Sequence, residues 1–499
     1  MEEKIQLLKE KLHEIDDLNS AVSLLSWDQS TYMPSGGAPA RGRQMATLSK
    51  IAHEKFTSAE MGNLLDELQP FSQENNSDDA ILVRVTTKDF EKATKIPAQF
   101  LVDFNVHISK SYQEWMEARP NNDFKRIEPY LEKTVDLSRQ LASFWPHEHI
   151  GDPLIDMADE GMKAETIKKI FSELRQELVP IVKAITDQEA ADDASLKQHY
   201  PEQTQLDFGL KVIEQFGYDF KRGRQDKTHH PFMTKFSIGD VRITTRTKEN
   251  DLSEALFSTL HESGHAMYEQ GINPGFEGSP LANGTSAGVH ESQSRLWENL
   301  VGRSRGFWSH FYPKLQETFT EQLGEVPLDN FYKAINKVTP SLIRTDADEV
   351  TYNLHVMIRF DLEMALLEGK LAVKDLPEAW HARYLSDLGV QAPSDVDGVL
   401  QDIHWYAGSV GGSFQGYTLG NIMSALFFDE AIKAHPDIPN QIASGEFDTL
   451  HSWLKENIYQ HGRKFTADEL IQKVTGGPLT ITPYINYLKT KYGELYTLS

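Results

Sequence analysis

Apolar residues recur at three- and four-residue spacing through most of the chain, and that period predicts helices. Ile5, Leu8, Leu12 and Ile15 mark the first. Ile170, Leu174, Leu178 and Ile181 mark another within Ile167–Ile185. The segments around Leu296 and over Val350–Leu367 follow the same rule, and Thr482-Pro483 reads as the start of a last helix running from Tyr484 to Leu498. Met33–Pro39 reads as a loop, Gln73–Asp79 as a polar turn and Asp187–Ser195 as an acidic surface loop. None resembles a flexible linker, and no fixed-period repeat is present. The pattern therefore predicts one mainly α-helical body.

One stretch departs from that period. Phe232–Ile238 alternates, Gly239-Asp240 interrupts, and Val241–Arg246 alternates again. This predicts a β-hairpin with a Gly-Asp turn.

Composition narrows the function. The chain has 499 residues and a formal net charge of −24, which disfavours binding to phosphate backbones. It has no cysteine, so a thiolate nucleophile, disulfides and Cys-ligated zinc are excluded. The N-terminal stretch is a charged amphipathic helix without a signal-peptide core, and no segment is apolar enough to span a bilayer. The expectation is a cytoplasmic protein that binds neither nucleic acid nor membrane.

Directly after the hairpin stands His261-Glu262-Ser263-Gly264-His265, an H-E-x-x-H motif. On a helix, residues four apart share a face, so both imidazoles can reach one cation while Glu262 lies beside it. Asp251 or Ser253 is placed to cap that helix, and Gly271 with Pro274 to end it. Zinc needs a third protein ligand. A metzincin would carry Gly and His where this chain has Tyr268 and Gly271, so that class is excluded. The helical stretch His290–Glu298 offers Glu291 instead. Its neighbour His290 is open to three readings: support for a ligand, an active-site donor, or a histidine near a helix cap.

These residues resemble the carboxypeptidase Taq family of zinc metallocarboxypeptidases. HESGH is followed by HESQSRLWEN, Asp240–Thr244 is similar to D-x-R-x-T, Ile343–Asp348 to I-R-x-x-A-D and Gly398–Trp405 to G-x-x-Q-D-x-H-W. Ser26–Gln29 with Met33-Pro34 adds a fifth, N-terminal match. The resemblance implies a large helical, neurolysin-like saddle with a deep groove and a small hairpin or sheet beside the zinc site. It implies one domain over 1–499, with a helical part at about 1–200 and a catalytic core at about 201–499. It further implies a homodimer that releases single C-terminal residues from peptides with broad specificity, using one Zn2+ that Co2+ can replace. Carried over by position, His261, His265 and Glu291 hold the metal and Glu262 is the general base.

Peptide hydrolysis also needs oxyanion donors and, for an exopeptidase, a grip on the free carboxylate. His404 and Tyr417 are the candidate donors; Tyr417 lies in the glycine-rich run Gly408–Gly420. Arg344 is the candidate carboxylate anchor, because a guanidinium binds carboxylate bidentately; its structural alternative is an ion pair with Asp346 or Asp348. Arg242 is a further candidate substrate contact; its alternative is to brace the cleft by pairing with Asp240 or another acid. A second hypothesis is a zinc oligopeptidase on a similar scaffold, which needs no carboxylate anchor. A catalytically silent helical scaffold is a third, but every ligand and the base are present.

Overall fold

The computed structural model describes residues 1–498. Helices dominate, with one three-stranded sheet. The first helix, Glu2–Thr31, buries Ile5, Leu8, Leu12 and Ile15 as their spacing predicts. Helix Ala164–Thr186 buries Ile167, Ile170, Leu174, Leu178, Ile181 and Ile185 along one stripe. The last helix, Thr482–Tyr496, begins at Thr482 with Pro483 in its first turn, where a missing N–H costs nothing. Among the described residues, no helix is long and apolar enough to cross a membrane.

Three local expectations change. Met33–Pro39 is only partly loop: Ser35–Gly37 forms a 3₁₀ turn and a helix starts at Ala38. Proline there is compatible with a helix because it lies in the first turn. In the hairpin, strands β2 (Met233–Ser237) and β3 (Asp240–Thr245) pair antiparallel, but Ser237 faces Asp240. The turn is therefore Ile238-Gly239, and Asp240 belongs to the strand. A further strand, β1 (Gln225–Lys227), pairs parallel with β3, giving the order β1-β3-β2. Three residues are too few to show alternation in sequence.

The apolar interior has two parts. One joins the first four helices (Ile5 to Val83) to Ile238, Ile272, Phe276 and Leu281. The larger runs from Trp115 to Tyr496 and surrounds the sheet and the H-E-x-x-H helix. Val241 and Ile243 are fully buried on β3, which packs against that helix. The sheet thus stands directly beside the motif.

Candidate metal centre

The motif helix spans Leu252–Gly271, and Asp251 caps it by accepting from the Ser253 N–H. A second helix, Ala287–Arg295, carries His290 and Glu291; Ser286 caps it through the Val289 N–H. Two glycines let these helices and the core helix Gln415–Ala434 approach one another. A Cβ on Gly264 would sit 2.7 Å from Ser294 Cα, and one on Gly420 would sit 2.6 Å from Glu291 Cβ and Cγ. The ligand helix is thus pressed between the other two by residues without side chains.

That approach delivers three donors to one point. Glu291 Oε2 lies 3.4 Å from His265 Nε2 and 3.7 Å from His261 Nε2. Zinc–ligand bonds near 2.0–2.1 Å in a tetrahedron separate ligand atoms by about 3.4 Å, so the set fits such an ion. Among the described residues this is the one cluster of its kind. Glu262 is buried beside it, and burial raises its carboxyl to about 7; a cation on the neighbouring ligands would draw it back down. Burial opposes the ionised form of Glu291, but the Arg295 guanidinium beside it overcomes this and holds it ionised.

Each ligand is itself held. His261 Nδ1 is 2.9 Å from Glu298 Oε2, leaving Nε2 for the cation. Arg295 donates from Nε to Glu291 Oε1 at 2.7 Å and from Nη1 to Glu298 Oε2 at 3.3 Å. Glu298 falls within Leu296–Val301, where the expected α-helix widens into a π-helix. The extra residue per turn changes the angular register of the side chains that follow. His265 Nδ1 is 2.7 Å from His290 Nδ1, and His290 Nε2 is 2.7 Å from Glu269 Oε1. Both ring nitrogens of His290 are engaged, which of its three readings fits support for a ligand. Glu298, Arg295 and Glu269 escaped sequence reasoning. Their only signal is charge at i+4 and i+7 from Glu291, and at i+4 from His265.

A second cluster joins this one through Tyr352. The Arg295 guanidinium lies 4.7 Å over the Tyr352 ring, and the Tyr352 hydroxyl accepts from Arg344 Nη1 at 2.9 Å. Arg344 is buried and pairs bidentately with Asp402, Nε to Oδ2 and Nη2 to Oδ1, both 2.9 Å. Asp402, not Asp346 or Asp348, is its acid. Three of the five guanidinium N–H groups are thus used and two remain. Asp402 also accepts from the fully buried Arg359 at 2.6 Å. These two arginines outweigh the burial penalty and keep its carboxyl ionised. His404 Nδ1 stands 3.3 Å from Asp402 Oδ1. The Tyr417 ring centroid is 5.4 Å from the Arg344 carbon, and burial first of all raises its phenol to about 12, so it carries its proton at neutral pH.

Arg242 belongs to a different contact. It pairs with Asp240 at 2.8 and 2.7 Å and stacks 4.5 Å over Trp27 and 4.9 Å over Phe236. That arrangement ties the hairpin to the first helix.

A helical body that gathers His261, Glu262, His265 and Glu291 in this geometry has the candidate metal site of a metallopeptidase. Residues 7–492 match the model of the carboxypeptidase Taq (M32) metallopeptidases, and the chain belongs to that family. Thermostable carboxypeptidase 1 of Thermus thermophilus is 41% identical over 98% of both chains, and carboxypeptidase 1 of Bacillus subtilis 36% identical over 98% of this chain and 97% of that one. Among solved structures, the M32 carboxypeptidase of Deinococcus radiodurans R1 superposes with a TM-score of 0.96 at 52% identity, covering 99% of this chain and all of that one. The protein is a metallocarboxypeptidase, and its family implies a divalent metal ion.

Proposed function

We propose that this enzyme is a zinc metallocarboxypeptidase that removes single C-terminal residues from peptides with broad preference, with Glu262 as general base. The convergence of Glu291 Oε2 on the Nε2 atoms of His261 and His265 carries the reading. His261, His265 and Glu291 would hold the ion, which supplies Lewis acidity toward the scissile carbonyl and toward an attacking water. Glu262 then takes the proton from that water and delivers it to the leaving amine. The buried setting suits a carboxyl that must both accept and release a proton near neutrality. Tyr417, protonated, and His404, which stands beside Asp402, donate to the developing oxyanion.

Arg344 holds the substrate carboxylate with its two remaining N–H groups, while Asp402 keeps the guanidinium oriented. We assign Arg242 to bracing the hairpin, whose main chain can lie beside an extended peptide and ignore its side chains. The cytoplasmic setting rests on the cysteine-free composition and the charged N-terminal stretch, and the homodimer and replacement of zinc by cobalt rest on the family resemblance. Metal analysis and sedimentation of the purified enzyme test the last two.

The decisive experiment gives the metal-loaded enzyme one peptide in two forms, free acid and C-terminal amide, and follows products by mass spectrometry with and without chelator. Stepwise shortening of the free acid alone, stopped by chelator, is expected. Internal cleavage of both forms would make the protein an oligopeptidase and remove the role given to Arg344.

A further inference from the structure

The two candidate ligand imidazoles are supported by different chemistry. His261 leans directly on a carboxylate, Glu298. His265 leans on another imidazole, His290, at 2.7 Å between the two Nδ1 atoms. Two bare nitrogens repel at that distance, and so do two N–H groups, so one must donate and the other accept.

The far side of His290 decides which. Its Nε2 lies 2.7 Å from Glu269 Oε1. Glu269 is buried and already accepts from Lys235 Nζ at 2.8 Å and from the Gly284 N–H at 3.0 Å. An ionised carboxylate only accepts, so His290 Nε2 carries a proton, and in the neutral ring Nδ1 is then bare. His265 must then donate from Nδ1, which leaves its Nε2 lone pair facing Glu291 Oε2. Every hydrogen bond in the chain runs one way, from His265 to His290 to Glu269.

The rings are also wedged in place. Gly284 passes so close that a Cβ there would lie 2.6 Å from His290 Cδ2, and the Tyr268 ring stands 5.0 Å from the His290 ring. Lys235, which anchors Glu269, lies on β2 and also donates to the Ala282 carbonyl. The chain therefore begins on the sheet and ends at the candidate ligand.

We infer that His290 and Glu269, anchored by Lys235 on β2, are positioning residues that fix the ring orientation and tautomer of His265 for metal binding. This rests on the metal-site reading above. It also makes His290 support for a ligand in place of an active-site donor that would touch substrate, and it makes the hairpin a structural part of the metal site.

The test uses the full chain stripped of metal and titrated with Co2+ at one neutral pH, in competition with a colorimetric chelator. The visible bands of Co2+ report its coordination geometry independently of turnover. His290→Leu is expected to weaken Co2+ binding by about 10-fold or more and to change the spectrum, and Glu269→Gln to weaken it in the same direction. His290→Gln should stay within about 3-fold of the parent, because an amide can accept from His265 and donate to Glu269.

Binding within about 2-fold of the parent in both His290→Leu and Glu269→Gln, with unchanged spectra, overturns the inference; so does a His290→Gln loss as large as that of His290→Leu. If His290→Leu fails to fold, as judged by melting of the metal-free protein, Glu269→Gln decides. A His261→Ala control separates the two levels. Loss of Co2+ in that variant while His290→Leu binds normally leaves the metal site standing and removes only the relay. Normal binding by His261→Ala removes the metal-site reading and the relay together.

Discussion

Gly264 lies so close to Gln293 that a Cβ on it would stand 2.5 Å from the Gln293 carbonyl oxygen. The atom in the way is backbone, so no rotamer change can relieve the contact. Gly264→Ala should push the ligand helix away from the motif helix, at a cost of about 1–3 kcal/mol in stability. More telling is the expected fall in metal content, because Glu291 rides on the displaced helix. Metal stoichiometry after dialysis measures it; full occupancy in the alanine variant would show that the centre tolerates helix separation.

Glu262→Gln keeps the ligand set and removes the base. Metal content should match the parent, while kcat falls by at least about 10²-fold, the lower range for loss of a positioned general base. Near-parental turnover would exclude Glu262 from the proton transfers.

Arg344 and Asp402 separate anchoring from packing. Arg344→Ala should lower cleavage of free-acid peptides with KM rising more than metal affinity changes. Asp402→Asn should do more harm, because it leaves two buried guanidinium groups, Arg344 and Arg359, without their carboxylate. Removing one partner of a buried ion pair costs about 3–5 kcal/mol. Urea unfolding and steady-state kinetics read the two effects; equal stability in Asp402→Asn would mean the arginines find another acid.

Glu363 makes stability depend on pH in an unusual direction. Its carboxyl is fully buried, takes the Trp405 indole N–H at 2.9 Å, and is raised by burial to about 7 from an ordinary 4.5. Between those values the folded protein binds the extra proton, so the unfolding free energy falls as pH rises from about 4.5 to 7 and is level beyond. The size is roughly 3 kcal/mol. Glu363→Gln should remove this slope and be the more stable protein at pH 8. Parallel stability–pH curves for variant and parent would refute it.

Lys491 on the last helix donates to Glu349 Oε2 at 2.7 Å, with both side chains almost wholly buried, and the Tyr487 and Tyr492 hydroxyls complete the shell around that carboxylate. Lys491→Met should destabilise by about 3–5 kcal/mol, because the carboxylate stays behind unpaired. Pairing the variant with Glu349→Gln should restore part of the loss. Absence of any recovery in the double variant would mean the two residues act separately.

Much of this was legible in the sequence because it follows local rules. Helical period placed the first helix, Ala164–Thr186 and the last helix, and the H-E-x-x-H spacing put His261 and His265 on one face. Glu291 was reachable by eliminating the metzincin pattern and then taking the acid in the next helix. What stayed hidden depends on contacts between distant segments. Asp402 lies 58 positions from Arg344, and no periodicity links them. The π turn at Leu296–Val301 has no pattern of its own, so nothing in the sequence turned Glu298 toward His261. Tyr352 gave no signal, since an aromatic at the start of an apolar helix reads as core. The parallel strand Gln225–Lys227 was too short to alternate.

The Glu349–Lys491 pair also has a consequence for how the enzyme is made. The metal ligands and Arg344 are synthesised well before Lys491, and the last helix leaves the ribosome after every other element described here. Glu349 stands 142 positions before Lys491, so its buried counter-charge emerges long after it does. A chain grown past Glu349 but not yet to Lys491 is therefore expected to keep that carboxylate in water, and the shell of Lys491, Tyr487 and Tyr492 closes over it only once the last helix docks.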